Sequence, residues 1–195
     1  LWGKDFLITP ILKDSISTKE VYFPKNTNWY NFYSDKKIKG GQTKIIKVEE
    51  HSIPTYVRAG AFITMTKLVQ TTDDYKGDNL EIHYFHDSLI EQSARAVYND
   101  NGLLSSAFEK EQYEILKLEA KSTKKGLKFN FNASIGEKWN PKIKKIKLII
   151  HNMNWQPNNI KVAGKKIKSF TNKNQITIPV LWNPKKKITI KLTHN

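Results

Sequence analysis

The sequence predicts an all-β fold, two antiparallel β-sandwich domains in tandem, on three observations. Apolar and aromatic residues fall in short runs bounded by clusters of Gly, Pro, Asn, Asp and Ser. Several runs alternate apolar and polar residues with the period of two that a half-buried strand requires. No helical period persists over a window of about eleven residues.

In chain order, Phe6–Leu12 reads as a strand buried on both faces, with Pro10 near its end. Glu20–Phe23 is stopped by Pro24, and the polar turn 25–28 leads into an aromatic strand, Trp29–Tyr33. Alternation puts Trp29 and Tyr33 on one face and Tyr30 and Phe32 on the other, so one pair is expected in the core and the other is open to a sugar. Ser34–Gly41 has the composition of a hairpin loop, and Thr43–Val48 alternates. The stretch Ile53–Ile63 organises this half. Pro54 cannot donate to a ladder and marks the strand's start or an edge, and Gly60 bends the chain between Ala59 and Ala61. Arg58 is expected buried and bonded to carbonyls or a carboxylate. Residues 65–79 are a polar seam. Beyond it, Leu80–Phe85, Ser93–Tyr98, Tyr113–Leu118, Leu127–Asn132, Ile146–Ile150, Ile160–Val162, Gln175–Val180 and Lys187–Leu192 read as strands. The expected domains are 1–78 and 79–195, with the boundary placed within 66–92.

The order Gly3-Lys4-Asp5-Phe6-Leu7-Ile8-Thr9-Pro10, Val21-Tyr22-Phe23-Pro24, Trp29-Tyr30-Asn31-Phe32, Gly40-Gly41-Gln42 and Ile53-Pro54-Thr55-Tyr56-Val57-Arg58-Ala59-Gly60 resembles the C-terminal portion of family 31 glycoside hydrolases, the α-glucosidase and α-xylosidase type. Asn31 stands where that family usually has Asp, and Ala59-Gly60 where it often has Gly-Gly. Tyr98-Asn99-Asp100-Asn101-Gly102 resembles the element that opens the family's distal C-terminal domain. The resemblance implies a proximal and a distal sandwich attached to a catalytic (β/α)8 barrel of the same parent chain. The parent reaction is hydrolysis of an α-linked glycoside with retention. The alternative is a free-standing carbohydrate-binding sandwich. Leu1 already lies within a motif, so the chain reads as a piece of a longer one, and its first strand would follow the barrel's last helix. Leu1, Trp2 and Phe6 would then face the barrel and make the N-terminal end a point of self-association.

Retaining glycosidases need two carboxyl groups about 5–5.5 Å apart, and the family's catalytic aspartates lie on barrel strands. No position here matches those motifs, so no catalytic residue is expected and this chain alone is read as inactive. Adjacent Asp73 and Asp74 sit in a loop, and Asp100 sits in a turn where Asp bonds its own backbone. His51, His83, His86, His151 and His194 lack metal-ligand spacing, and there is no cysteine, so neither metal nor cofactor is expected. Trp139, Trp155 and Trp182 lie near prolines, where exposed rings would meet a glycan. Arg58, Gly60, Pro54 and Trp29 are assigned structural roles.

The net charge of +15 divides as +3 over residues 1–78 and +12 over 79–195. Nearly all of it is lysine, with Arg58 and Arg95 as the only arginines. Phosphate and base readers favour arginine, so no nucleic-acid partner is expected. No apolar run reaches membrane-spanning length, so no membrane partner is expected either. The compartment stays open, a periplasmic or secreted parent among the choices.

Overall fold

The computed structural model describes residues 1–172 and 174–194. Its first seven strands are β1 (Phe6–Ile8), β2 (Thr18–Phe23), β3 (Asn28–Asn31), β4 (Lys37–Lys39), β5 (Gln42–Lys47), β6 (Thr55–Arg58) and β7 (Phe62–Met65). A 3-10 turn, Thr72–Asp74, precedes β8 (Asn79–Phe85) and β9 (Gln92–Asn99). The long strands follow: β10 (Glu114–Thr123), β11 (Gly126–Ile135) and β12 (Lys144–His151). The chain continues with β13 (Asn159–Val162), β14 (Lys165–Lys166), β15 (Phe170–Asn172), β16 (Gln175–Trp182) and β17 (Ile188–Thr193).

These strands build four sheets, ordered β1-β6-β3-β4, β2-β5, β15-β16-β12-β8-β7 and β14-β13-β17-β11-β10-β9. Every pairing is antiparallel except β8 with β12, which run parallel. The five- and six-stranded sheets enclose the largest core. It is built from inward positions such as Ile82, Tyr84, Leu118, Phe129, Phe131, Leu148, Ile178, Trp182 and Ile190. Tyr84 and Phe129 meet edge to face, their ring centroids 5.1 Å apart, the geometry that the ring quadrupoles favour. Lys145 and Lys147 take outward positions of β12, in alternation with the buried Lys144, Ile146 and Leu148.

The four-stranded sheet is buried on both sides. Trp29 and Tyr56 pack with Val21, Phe23, Ile38 and Ile46 on one face. Tyr30, Val57, Ala59, Ala61, Ile63 and Phe85 fill the other, against the five-stranded sheet. This corrects the reading of the aromatic strand. Trp29 and Tyr30 point opposite ways and both are buried, because each face of the sheet meets another layer. The strand ends at Asn31, whose side-chain oxygen accepts from the backbone N–H groups of Tyr33 and Ser34 and turns the chain. Tyr33 is left exposed. The expected hairpin loop 34–41 contains β4, and β1 is shorter than expected, ending at Ile8. Strand β7 hydrogen-bonds to β8 across the polar seam, so the ladder itself joins the first sixty residues to the last hundred.

Candidate functional site

The polar chemistry of this chain gathers where the four-stranded sheet meets the large sandwich. Pro54 precedes β6 and offers its carbonyl to the Thr9 N–H at 3.0 Å. Strand β6 itself is central, between β1 and β3, and its four residues can all serve the ladder. At its end the chain must turn toward β8. Gly60 does this at φ +77°, with its N–H donating to the Phe85 carbonyl at 2.8 Å. A Cβ at Gly60 would stand 2.7 Å from both Ile90 Cγ2 and Ser93 Oγ, so both backbone angle and space require glycine. The Trp29 indole N–H donates to the Pro24 carbonyl at 3.0 Å, closing the turn that starts β3.

Arg58 pairs with Asp5 at 3.0 Å, and Arg95 reaches the other oxygen of the same carboxylate at 3.1 Å. Both arginines of the chain therefore converge on one carboxylate, tying β1, β6 and β9 together. The Arg58 side chain is 43% exposed, where burial was expected. It lies along a polar cleft of about 210 Å³ with Gly60, Gln92 and Ser93, and its Nε is enclosed without a hydrogen-bond partner.

Asp87, just past β8, is closed off more completely. Its carboxylate accepts from Tyr30 Oη at 2.6 Å, Asn28 Nδ2 at 2.8 Å, Lys37 Nζ at 2.9 Å and the Leu89 backbone N–H at 2.9 Å. Burial opposes its charge, but the hydrogen bonds from Tyr30 and Leu89, then Lys37 and Asn28, outweigh it and hold the carboxyl at about 2. Burial, and then the bond to Asp87, push the Tyr30 phenol well above its ordinary value.

A third cluster was invisible in the sequence because its members lie far apart. Asp35 adopts φ +59° in the β3–β4 turn, a left-handed conformation that Asp tolerates. Its carboxylate meets His151 Nδ1 at 2.9 Å and accepts from Gln175 Nε2 at 2.7 Å. His151 Nε2 in turn meets His83 Nδ1 at 2.9 Å, and Phe85 stacks on the His151 ring, centroids 4.3 Å apart. Burial raises the Asp35 pKa, but the bonds from His151 and Gln175 outweigh it, and the net shift is downward. Burial, then the neighbouring His151, lower that of His83. The chain of groups looks like an acid–base relay, yet its far end, His83 Nε2, is enclosed without a hydrogen-bond partner. Neither the polar cleft nor the larger groove of about 530 Å³ over β8, β12 and β16 is lined by it. The cluster ties the β3–β4 turn to β8, β12 and β16.

The other sequence candidates are dispersed. Asp73 and Asp74 lie exposed in the 3-10 turn, and Asp100 accepts from the Gly102 N–H at 2.7 Å within its own turn. Trp182 is 1% exposed and donates to the Lys186 carbonyl, and Trp155 packs on the main core, so neither is an open sugar platform. Among the described residues no group of His, Asp or Glu is arranged to hold a metal. Sequence reading also missed the buried pair Lys144–Glu114. Its signal was present: Glu114 alternates in phase with Leu116, Leu118 and Ala120, and Lys144 with Ile146, Leu148 and Ile150.

Comparison with known proteins places these clusters in a family context. The chain is 31% identical over 117 residues to an α-xylosidase of Saccharolobus solfataricus, a match covering 60% of this chain and 15% of that protein. It is 26% identical over 113 residues to α-glucosidase 2 of Bacillus thermoamyloliquefaciens, covering 58% of this chain and 14% of that one. The chain thus spans a small fraction of the curated relatives it matches. The fold is shared with the Flavobacterium johnsoniae GH31 dextranase complexed with glucose, at TM-score 0.88 and 21% identity, over 98% of this chain and 26% of that one. Residues 1–63, which contain Asp5, Trp29, Asp35, Arg58 and Gly60, match the glycosyl hydrolase family 31 C-terminal domain.

Proposed function

We propose that this chain is the non-catalytic C-terminal part of a retaining α-glycosidase and buttresses that enzyme's (β/α)8 barrel. In this reading residues 1–78 are the proximal sandwich and 79–195 the distal one, interlocked by β7. The observation that carries it is that the buried carboxylates are closed off by internal partners: Asp5 by Arg58 and Arg95, Asp87 by Tyr30, Asn28 and Lys37, Glu114 by Lys144. Glycoside hydrolysis needs one carboxyl free to give a proton and another free to attack. The structural roles assigned to Arg58, Gly60, Pro54 and Trp29 belong to the same proposal, as braces of the proximal sheet. The relatives' names supply the substrate class, α-xylosides and α-glucosides.

The purified chain is expected to release no nitrophenol above buffer background from aryl α-glucosides or α-xylosides. Turnover abolished by Asp73→Asn or Asp100→Asn would sink the reading. The docking side is expected at the N-terminal end. Leu1 and Trp2 are 72% and 73% exposed, and Phe6 is half-buried with its ring edge-on to Phe32. Covering an apolar side chain of this size is worth roughly 1.5–3 kcal/mol. Isolated chains are therefore expected to associate through this end at high concentration. Light scattering of the wild type against a Leu1→Ser, Trp2→Ser variant tests it, and equal masses for the two chains would refute this docking side.

A further inference from the structure

We infer that a row of five lysines across the outer face of the six-stranded sheet is a binding strip for an acidic polysaccharide, one that carries carboxylate or sulfate groups along its length. None of these lysines takes part in the braces or the docking end described above.

Strand register builds the row. Lys121 on β10 lies opposite Lys128 on β11, and Lys128 opposite Lys191 on β17. Lys191 in turn lies opposite Lys161 on β13, and Lys161 opposite Lys166 on β14. All five are exposed. Their strand neighbours Ala120, Leu127, Ile160 and Ile190 are buried in the main core, so the lysines leave the sheet on its outer side. Four strand intervals of about 4.8 Å make the row about 19 Å long.

Such a row is unfavourable by itself, because like charges directly opposite each other on a sheet face repel. Among the described residues none of the five forms an ion pair. The next outward row on one side holds Glu119, Asn130 and Thr189, with Glu119 as its one carboxylate. On the other side stand Thr123, Thr193 and Asn159. A lysine-rich composition explains lysine at outward positions. It does not explain five of them in one register with the carboxylates left out.

The charge calls for an anion, and an evenly spaced line of charges calls for a linear one. The flanking rows choose among polyanions. They offer amides and hydroxyls, which suit the hydroxyls of a sugar chain. Thr189 Oγ1 donates to Asn130 Oδ1 at 3.0 Å, which leaves the Asn130 amide N–H groups to donate outward. The strand spacing is close to the length of one pyranose unit, so successive acidic units meet successive lysines. Neither the lysine row nor the rows beside it contain an aromatic residue or an arginine. A single-stranded nucleic acid is held by rings on which its bases stack, and a face seated on a membrane presents apolar side chains to the lipid.

Affinity electrophoresis of the whole chain tests the proposal. The probes are polygalacturonate, which carries carboxylates, and dextran sulfate, which carries sulfates, with oligodeoxythymidylate and vesicles of anionic phospholipid for comparison. The wild type is expected to bind at least one of the two polysaccharides more tightly than the oligonucleotide or the vesicles at equal salt, and the tighter of the two identifies the acidic group. The triple variant Lys128→Gln, Lys161→Gln, Lys191→Gln is expected to bind it about ten-fold more weakly, with the slope of log affinity against log salt reduced by about half. A control variant, Lys13→Gln, Lys44→Gln, Lys110→Gln, loses the same charge from exposed positions outside this sheet and is expected to stay within about two-fold of the wild type. The row variant is expected to melt no lower than the wild type, because it relieves like-charge repulsion. Equal weakening of the two triple variants overturns the proposal, since a basic chain attracts polyanions wherever its charges lie. So does a failure to bind either polysaccharide, or a row-dependent preference for the oligonucleotide or the vesicles. A row variant that melts clearly lower also overturns it, by showing that partners within the chain hold these lysines.

Discussion

Lys144→Ala is expected to destabilise the chain by about 3–5 kcal/mol, because it strands a buried carboxylate. The Lys144 and Glu114 side chains are 2% and 0% exposed and form a direct ion pair. Lys144 Nζ also donates to the Gly77 carbonyl at 2.8 Å, and Asn99 Nδ2 donates to Glu114 Oε1 at 2.7 Å. The network joins the seam before β8 to β9, β10 and β12, and so ties the two sheets of the large sandwich together. Glu114 Oε2 is already enclosed without a hydrogen-bond partner, so removing the lysine leaves little to stabilise the charge. For a chain of this size the loss corresponds to a fall in Tm of about 6–20 °C. Replacing both partners with apolar residues, Lys144→Met with Glu114→Leu, is expected to recover most of it, since a well-packed apolar pair avoids desolvating two charges. Thermal and urea unfolding of the single and double variants check this. A single variant within about 1 kcal/mol of the wild type would mean that water reaches Glu114 and the pair is not buried in solution.

Asp87→Asn is expected to lower stability at pH 7 by about 2–4 kcal/mol and to flatten the acid limb of the stability profile. The Asp87 carboxylate is fully enclosed and accepts from neighbours that all donate to it, three of them neutral groups. An asparagine turns its amide donors toward some of these donors. The sign of the pH effect follows from the folded carboxyl lying at about 2, below its unfolded value of 3.8. Its contribution, about 2 kcal/mol, is fully present above pH 4 and is lost as pH falls toward 2. His83 adds a separate acid loss. Its lowered folded pKa means that stability declines as pH drops below about 6.5, where the unfolded imidazole takes up protons that the folded one resists. The variant should keep this upper step and lose Asp87's share of the lower one, while Asp35, also shifted downward, keeps its own. Parallel profiles for wild type and variant, measured by urea unfolding from pH 7 to pH 2.5, would remove Asp87 as the cause.

Much of the strand content was legible in residue order. The alternation in 127–132 marks both a strand and its inward face, 146–150 and 175–180 read as strands, and β11, β12 and β16 follow. Pro54 and Gly60 marked the ends of β6 for reasons of backbone chemistry that act within a residue or two. The aromatic strand misled because alternation says which residues share a face and leaves open how many faces are covered. Trp29 and Tyr30 are both buried only because a second layer, carrying Phe85 and Ile63, lies over the four-stranded sheet.

By itself, then, the sequence determined an all-β chain, the order of its strands and turns, and the motifs of a family 31 C-terminal domain. All of these depend on periodicity and on short segments. The tertiary structure decided the pairings: Asp5 with Arg58 and with Arg95, Asp35 with His151, and Glu114 with Lys144. Asp5 lies 53 and 90 residues from its two arginines, and Asp35 lies 116 from His151. A carboxylate in a strand carries no local mark of its partner, because the partner is chosen by which strands become neighbours and in what register. That choice is made by the summed burial of whole sheets against the entropy of closing long loops.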